Sequence, residues 1–373
     1  MRIGIITYHF ANNYGAVLQA YCLQKVLEKT GIEIEFIDYQ SKLQTSNNSI
    51  FLENDSIKNE IKNFVRLPYY KSRKERILKF IDFRKKYLNI TKEKFVEQEE
   101  VIKFAEQHYD ALIVGSDQIW NPLAPDFDEI YFEISQAKIP VYAYAASLGT
   151  ANENEISRFK NDILNFLEVS VREETSIDIL RRVSAKICAK GVLDPTLLVK
   201  AEIMKKIAKK PAETEKDYIV CYYLGRNKSI KFRKTINKLT KQFGIKAYYI
   251  NANYGIAAYG KNVISNCGPE EFLGYLMNAK FVCTNSFHAI ALSIQFSVPF
   301  FCFEKANSKD TRKIDLLRRL KIEERVVYDF EISNIKEYKM PYMDYEEKIQ
   351  EYRKESLDFL KCITEDKNKI CAD

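Results

Sequence analysis

The first forty residues constrain this chain more than any other stretch. An apolar, β-branched run at 2–8 leads through a polar loop to Val17, Ala20, Tyr21, Leu23, Gln24 and Leu27 at near-helical spacing. Gly31 stops that helix, and residues 33–39 then alternate as a second strand. A strand, a helix and a strand in close succession pair most simply as parallel neighbours joined by a right-handed crossover. The unit predicts a doubly wound α/β sheet.

The same rhythm continues. Strands are expected at 111–114, 141–146 and 169–171, with a helix near 153–167. The pattern breaks at Leu193-Asp194-Pro195-Thr196, and a Lys/Ala-rich helix and the loop at 210–214 mark a linker. Beyond it, strands at 218–224, 247–251, 280–284 and 298–303 alternate with helices at 229–243, 269–277 and 289–296. At 373 residues the chain exceeds one ordinary core, so two domains are expected, 1–200 and 201–373, with a cleft between them. Residues 41–108 read as a polar, helix-rich insertion with a basic stretch of Arg73, Lys74, Arg76, Arg84, Lys85 and Lys86. That stretch suits an anionic lipid-linked substrate, or is a charged helix face over an apolar stripe. A polar amphipathic helix at 345–363 is placed to return across the first domain.

Composition narrows the functional classes. Apolar residues make up 46% and charged ones 29%, ordinary values for a globular chain. A net charge of +7 favours phosphorylated small molecules or anionic lipid over nucleic acid, for which no binding module is visible, and also fits a plain lysine-rich surface. No apolar run approaches the ~20 residues of a membrane span, no cleavage-site pattern follows the first residues, and the eight cysteines never form C-x-x-C. They read as reduced core thiols of a cytoplasmic protein. Dinucleotide, P-loop, zinc-hydrolase and serine-hydrolase motifs are all missing, and His9, His108 and His288 form no cluster that suggests a metal.

Ligands of open α/β sheets bind at the carboxyl ends of strands. Five such places carry suitable chemistry. The loop His9 to Ala16 offers asparagines, Gly15 and free amides at a helix start, where anions are favoured. Gly115 to Pro122 holds Asp117, Gln118 and the single tryptophan, Trp120, a set suited to stacking on a sugar and bonding its hydroxyls; packing by Trp120 and capping by Asp117 is the structural alternative. Arg172, after Ser170-Val171, is suited to a phosphate or carboxylate, or to pairing with a neighbouring glutamate. Arg226 stands in the same relation to the first strand of the second half. Thr284 to Ala289 brings Ser286 and His288 to another helix start, and histidine is the usual proton-transfer group near neutral pH.

The ordered set Asn13-Tyr14-Gly15-Ala16-Val17-Leu18-Gln19, Gly115 to Asn121, Ser170-Val171-Arg172-Glu173, Leu193 to Leu198 and Ser286-Phe287-His288 resembles the polysaccharide pyruvyl transferase family, in its bacterial surface-polysaccharide branch. The resemblance implies two Rossmann-like domains facing across a cleft, GT-B-like, with phosphoenolpyruvate as donor, no cofactor and a sugar or lipid-linked oligosaccharide acceptor at the inner membrane surface. It implies Arg172 and His288 as donor and catalytic residues, His288 as general acid, and Asp117 as the base that orients a hydroxyl. Asn13, Gly15, Asp117, Gln118 and Trp120 are the expected acceptor residues, on the first domain, with the donor on the second. Relatives acting on yeast glycans carry arginine two residues before the histidine. Ser286 stands there in this chain, which leaves the phosphate contact to Arg226, Lys305 or Arg312. A nucleotide-sugar glycosyltransferase and a non-catalytic glycan-binding relative share the expected fold.

Overall fold

The computed structural model describes residues 1–48, 70–211, 214, 216–225, 229–250, 262–308, 310–332 and 342–365. Two parallel sheets organise them. The first has seven strands in the order β3-β2-β1-β4-β5-β6-β7: β1 Arg2–Ile6, β2 Glu33–Tyr39, β3 Ile90–Phe95, β4 Ala111–Val114, β5 Val141–Ala146, β6 Glu168–Val171 and β7 Ala189–Gly191. The second has six in the order β10-β9-β8-β11-β12-β13: β8 Tyr218–Tyr222, β9 Lys246–Ile250, β10 Val263–Ile264, β11 Phe281–Thr284, β12 Phe300–Glu304 and β13 Val326–Tyr328. In each sheet the order reverses beside the strand that comes first in sequence, β1 or β8. This is the switch point at which doubly wound sheets open a crevice.

The helices that shape the junction are α1 Tyr14–Leu27, α2 Tyr70–Tyr87, α3 Glu174–Val183, α4 Pro195–Leu198, α5 Pro269–Met277, α6 Phe287–Gln295, α7 Arg312–Arg319 and α8 Tyr342–Glu365. Central strands such as β4 and β5 are buried at every position, as parallel strands covered on both faces must be. Helices α1 and α6 are also buried nearly all round, because both lie between the sheets. One apolar cluster therefore runs from Ile3 and Tyr14 through Phe272 and Ile290 to Ile363.

The expected boundary near residue 200 falls between the last strand of the first sheet and the first strand of the second. Three details depart from the expectations. The stretch 41–108 contains an edge strand, β3, parallel to β2; its exposed Lys92, Glu93 and Lys94 between buried Thr91 and Phe95 hide the strand pattern. Arg73 and Arg76 turn inward and Arg84 is half-buried, so only Lys74, Lys85 and Lys86 of the basic stretch stay exposed. Cys188 and Cys362 are exposed, whereas Cys22, Cys221, Cys267, Cys283 and Cys302 are buried and free; Cys371 lies outside the described residues.

Directional contacts lock the halves. Tyr14 stacks on Phe272 with ring centres 4.2 Å apart and donates its hydroxyl to the Cys267 carbonyl at 2.8 Å. Lys79 of α2 reaches Glu271 of α5 at 2.7 Å. From α8, Arg353 donates to the Leu197 carbonyl at 2.6 Å and to Gln295 at 2.7 Å, while Ser356 accepts from the Leu193 amide at 2.9 Å. The last helix thus fastens the loop that carries Asp194. Replacing Phe272 with Ala should cost about 3–5 kcal/mol, the usual loss for a buried aromatic ring. Urea unfolding of the variant checks this, and a cost below about 1 kcal/mol would mean that the Tyr14 stack does not hold the halves together.

Candidate functional site

Every group of the site sits just beyond the carboxyl end of a strand. Ser116 and Asp117 follow β4, Arg172 follows β6, Asp194 follows β7, and Asn285 to His288 follow β11. At the start of α1, Asn13 caps the helix by accepting from the Gly15 amide at 2.9 Å. Ser286 caps α6 in the same way, accepting from the Ala289 amide at 3.4 Å.

Asp194 is the centre. Its side chain has no exposure, and its Oδ2 accepts from Arg172 Nη1 at 2.8 Å. The same oxygen lies 3.4 Å from the Ser116 hydroxyl and 3.4 Å from His288 Nε2. Its Oδ1 takes the Thr196 amide at 3.0 Å and the Thr196 hydroxyl at 2.6 Å. Burial alone would raise this carboxyl, but His288, Arg172 and Thr196 together hold it far below the usual carboxylate range.

Arg172 is committed on two sides, with Nη1 to Asp194 and Nε to Glu173 at 3.0 Å. Burial disfavours its charge, yet Glu173, Asp194 and Asp117 raise the guanidinium above its ordinary value. The face of the guanidinium lies 4.2 Å from the ring centre of Phe287, so the arginine of the first half stacks on α6 of the second. Its Nη2 is buried, makes no hydrogen bond and stands 4.0 Å from Asp117 Oδ1. His288 Nε2 is likewise buried and unbonded. Two buried nitrogens without a hydrogen-bond partner, Arg172 Nη2 and His288 Nε2, are costly unless a ligand or water completes them.

Asp117 has a left-handed backbone, φ 82°, and its Oδ1 accepts from the Gln118 amide at 2.8 Å. Aspartate tolerates that conformation because its short side chain bonds locally, although a non-glycine there still stores strain. Gly15 meets His288 directly: a Cβ on Gly15 would stand 2.1 Å from His288 Nδ1. Asn12 is tied to the basic helix, its carbonyl accepting from Arg76 at 3.0 Å and its side chain from Arg84 at 3.2 Å. Burial brings the Arg84 guanidinium down to about 10 against the pull of Asp38.

The structure therefore brings Gly15, Asp117, Arg172 and His288 together and disagrees with other expectations. Trp120 has no exposure; it is stacked on Phe132 at 5.1 Å and donates its indole N–H to the Tyr131 carbonyl at 2.9 Å. It packs the core beneath the loop and offers no face to a sugar. Arg312 is bound through both Nε and Nη2 to Asp310, each at 2.7 Å, which removes it as a free anion contact. Ser286 spends its hydroxyl on the helix cap. Lys305 is exposed, Asn13 is exposed and Gln118 is half-buried, whereas Arg226 lies outside the described residues. Asp194, the hub, was absent from the expected set; its Asp-Pro-Thr context reads as a helix start, a role it also plays through Thr196.

A family profile described as polysaccharide pyruvyl transferase matches residues 13–306. The chain belongs to that family. The matched span reaches from the start of α1 to just past β12 and includes every residue gathered around Asp194. None of the curated proteins matches the sequence at a significant level. Among solved structures, the UDP-N-acetylglucosamine 2-epimerase from Rickettsia bellii is similar with a TM-score of 0.57 at 10% identity, covering 98% of this chain and 96% of that one. The UDP-GlcNAc 2-epimerase from Methanocaldococcus jannaschii gives 0.51 at 13% identity, covering 96% and 93%. Arabidopsis thaliana UGT89C1, complexed with UDP-L-rhamnose, gives 0.50 at 9% identity, covering 96% and 97%. At such identities the likeness establishes the fold, the two-sheet GT-B arrangement, and leaves chemistry to the site. Among the described residues no helix is long and apolar enough to cross a membrane.

The buried carboxylate has a consequence for pH. Asp194 holds its proton less readily in the folded chain than in the unfolded one, where it titrates near an ordinary ~3.9. Its contribution to stability is therefore complete at neutral pH, begins to fall as pH drops below about 4, and is lost only well below the usual carboxylate range. The stability deficit of Asp194→Asn relative to wild type should be largest near pH 7 and shrink on acidification, as denaturant melts at pH 7 and pH 3 would read. An equal deficit at both would mean that Asp194 is not held as a buried anion.

Proposed function

We infer that this protein moves pyruvate from phosphoenolpyruvate onto two hydroxyls of one sugar residue, forming a ketal during capsular or exopolysaccharide biosynthesis in the cytoplasm. What carries the reading is the convergence, in a member of this family, of Arg172 and His288 from opposite halves onto the buried Asp194 carboxylate.

The chemistry uses these groups in turn. His288 gives a proton to the methylene carbon of the enol, and the double-bond electrons form the new C–H bond. Positive character develops at the adjacent carbon, which one sugar hydroxyl attacks. Phosphate then leaves, and the second hydroxyl closes the ketal. Each hydroxyl surrenders a proton: the first goes to Asp117 as the orienting base and leaves with the phosphate, and the second returns to His288 and restores the acid. Arg172 meets the donor through Nη2, the one nitrogen that makes no hydrogen bond within the protein. The starts of α1 and α6 add fixed amide dipoles that favour an anion. No cofactor is invoked. The exposed lysines of α2, Lys71, Lys74, Lys85 and Lys86, are the face we assign to an anionic, lipid-linked acceptor at the inner membrane surface.

Phosphate release from phosphoenolpyruvate, measured with and without a lipid-linked oligosaccharide extract, tests this. Release should depend on the extract and fall roughly 10²–10⁴-fold in His288→Ala, as loss of a general acid does, with Arg172→Ala similarly impaired. Nucleotide-sugar turnover in place of phosphate release would identify a glycosyltransferase. Glycan binding with neither activity would identify a non-catalytic relative.

A further inference from the structure

His288 has two ring nitrogens in unlike surroundings. Nε2 is buried against Asp194 at ion-pair distance, 3.4 Å. A tenth of the side chain remains exposed, so the open part of the ring lies away from Nε2. Nδ1 lies over Gly15 at the second position of α1, where any Cβ would overlap it, and no described group hydrogen-bonds it. The ring is therefore gripped between a carboxylate on one edge and the amino end of a helix on the other.

We propose that Asp194 is a positioning residue that keeps the proton of His288 on Nε2, which makes Nδ1 the nitrogen that exchanges protons with the ligand. The proposal rests on the assignment of His288 as the acid. A carboxylate beside one imidazole nitrogen retains the N–H there and orients the ring, so transfer occurs at the other nitrogen. Catalytic hydrogen bonds that are long in the free protein tighten when the ligand is in place, which suits a 3.4 Å contact not yet aligned as a bond. In the transfer step the imidazolium loses the Nδ1 proton to the enol carbon and keeps Nε2–H toward Asp194; the neutral ring that remains is later reprotonated at Nδ1. Gly15 then acts on the protein side of the reaction. Its missing side chain seats the imidazole, in place of the acceptor contact expected from the sequence.

The test is the imidazole N–H signal of the full-length protein labelled with ¹⁵N-histidine. Only three histidines contribute, and His288→Ala identifies the relevant peaks. A proton held by a buried carboxylate exchanges slowly enough to give a one-bond ¹H–¹⁵N peak at Nε2. Asp194→Asn should abolish that peak. The amide oxygen stays with the two Thr196 donors and its NH₂ then faces Nε2, which loses its acceptor. Gly15→Ala leaves Asp194 and Arg172 untouched, and should lose the peak by pushing the ring away while the protein still melts cooperatively. It should also lower kcat at least 10-fold with a smaller change in KM, a split that loss of a mere packing contact would not give. A wild-type peak at Nδ1, or an Nε2 peak that survives in folded Asp194→Asn or Gly15→Ala, would overturn the proposal. These spectra need neither donor nor acceptor, so they fail or succeed separately from the phosphate-release reading.

Discussion

A single carboxylate, buried without exposure, sets the arrangement of the centre of this protein. An unpaired charge in such a place costs many kcal/mol, so Asp194 is tolerable only while donors surround it. Those donors come from the loop after β4, the loop after β6, the first turn of α4 and the start of α6. Four segments distant in sequence must arrive together. Removing one partner of such a cluster typically costs about 3–5 kcal/mol, a large share of the ~5–15 kcal/mol that holds a domain folded. The residues proposed to do the chemistry are therefore also residues that close the structure.

The same requirement explains why the two sheets share a core. Asp194 belongs to the first half and His288 to the second, and the imidazole reaches its 3.4 Å approach to the carboxylate only when α6 lies against the first half. Apolar packing brings it there: α1 and α6 are buried on nearly every face, and the cluster around Tyr14 and Phe272 is continuous with both sheets. Helix α8 completes the closure through Arg353, which holds Leu197 and Gln295 at once. A large apolar interface of this kind opposes wide opening of the halves.

Much of this was legible in the sequence. The central strands announce themselves as continuous apolar runs because both of their faces are covered, and the helices of the second half fall within a few residues of their expected places. Edge strands β3, β7, β10 and β13 were missed because they are short or, in β3, because charged residues face solvent along most of their length. Arg172 and His288 were singled out from residue type and position after a strand, and the structure brings both against Asp194. Asp194 was not, since a carboxylate before Pro-Thr explains itself locally as a helix cap, and nothing local reveals an arginine 22 residues away. Trp120 misled for the opposite reason. Aromatic rings suit sugars and cores equally, and only burial decides between them. Arg312 looked available until its fork met Asp310 two residues earlier.

The charge of the cluster bears on how the proposed donor could enter it. Asp117, Glu173 and Asp194 place three carboxylates around the one guanidinium of Arg172. Without a proton on His288 the group is negative, and a phosphorylated enol carboxylate would be repelled. A proton on His288 narrows that excess to a single negative charge, and the amide dipoles at the starts of α1 and α6 offset part of what remains. In the proposed reaction the ligand that needs a proton is also an anion, so the charge it brings to this negative cluster and the proton it takes from His288 are met at one place. In the proposed arrangement Asp194 holds the far edge of the ring, which leaves the transferred proton to the nitrogen that faces the ligand.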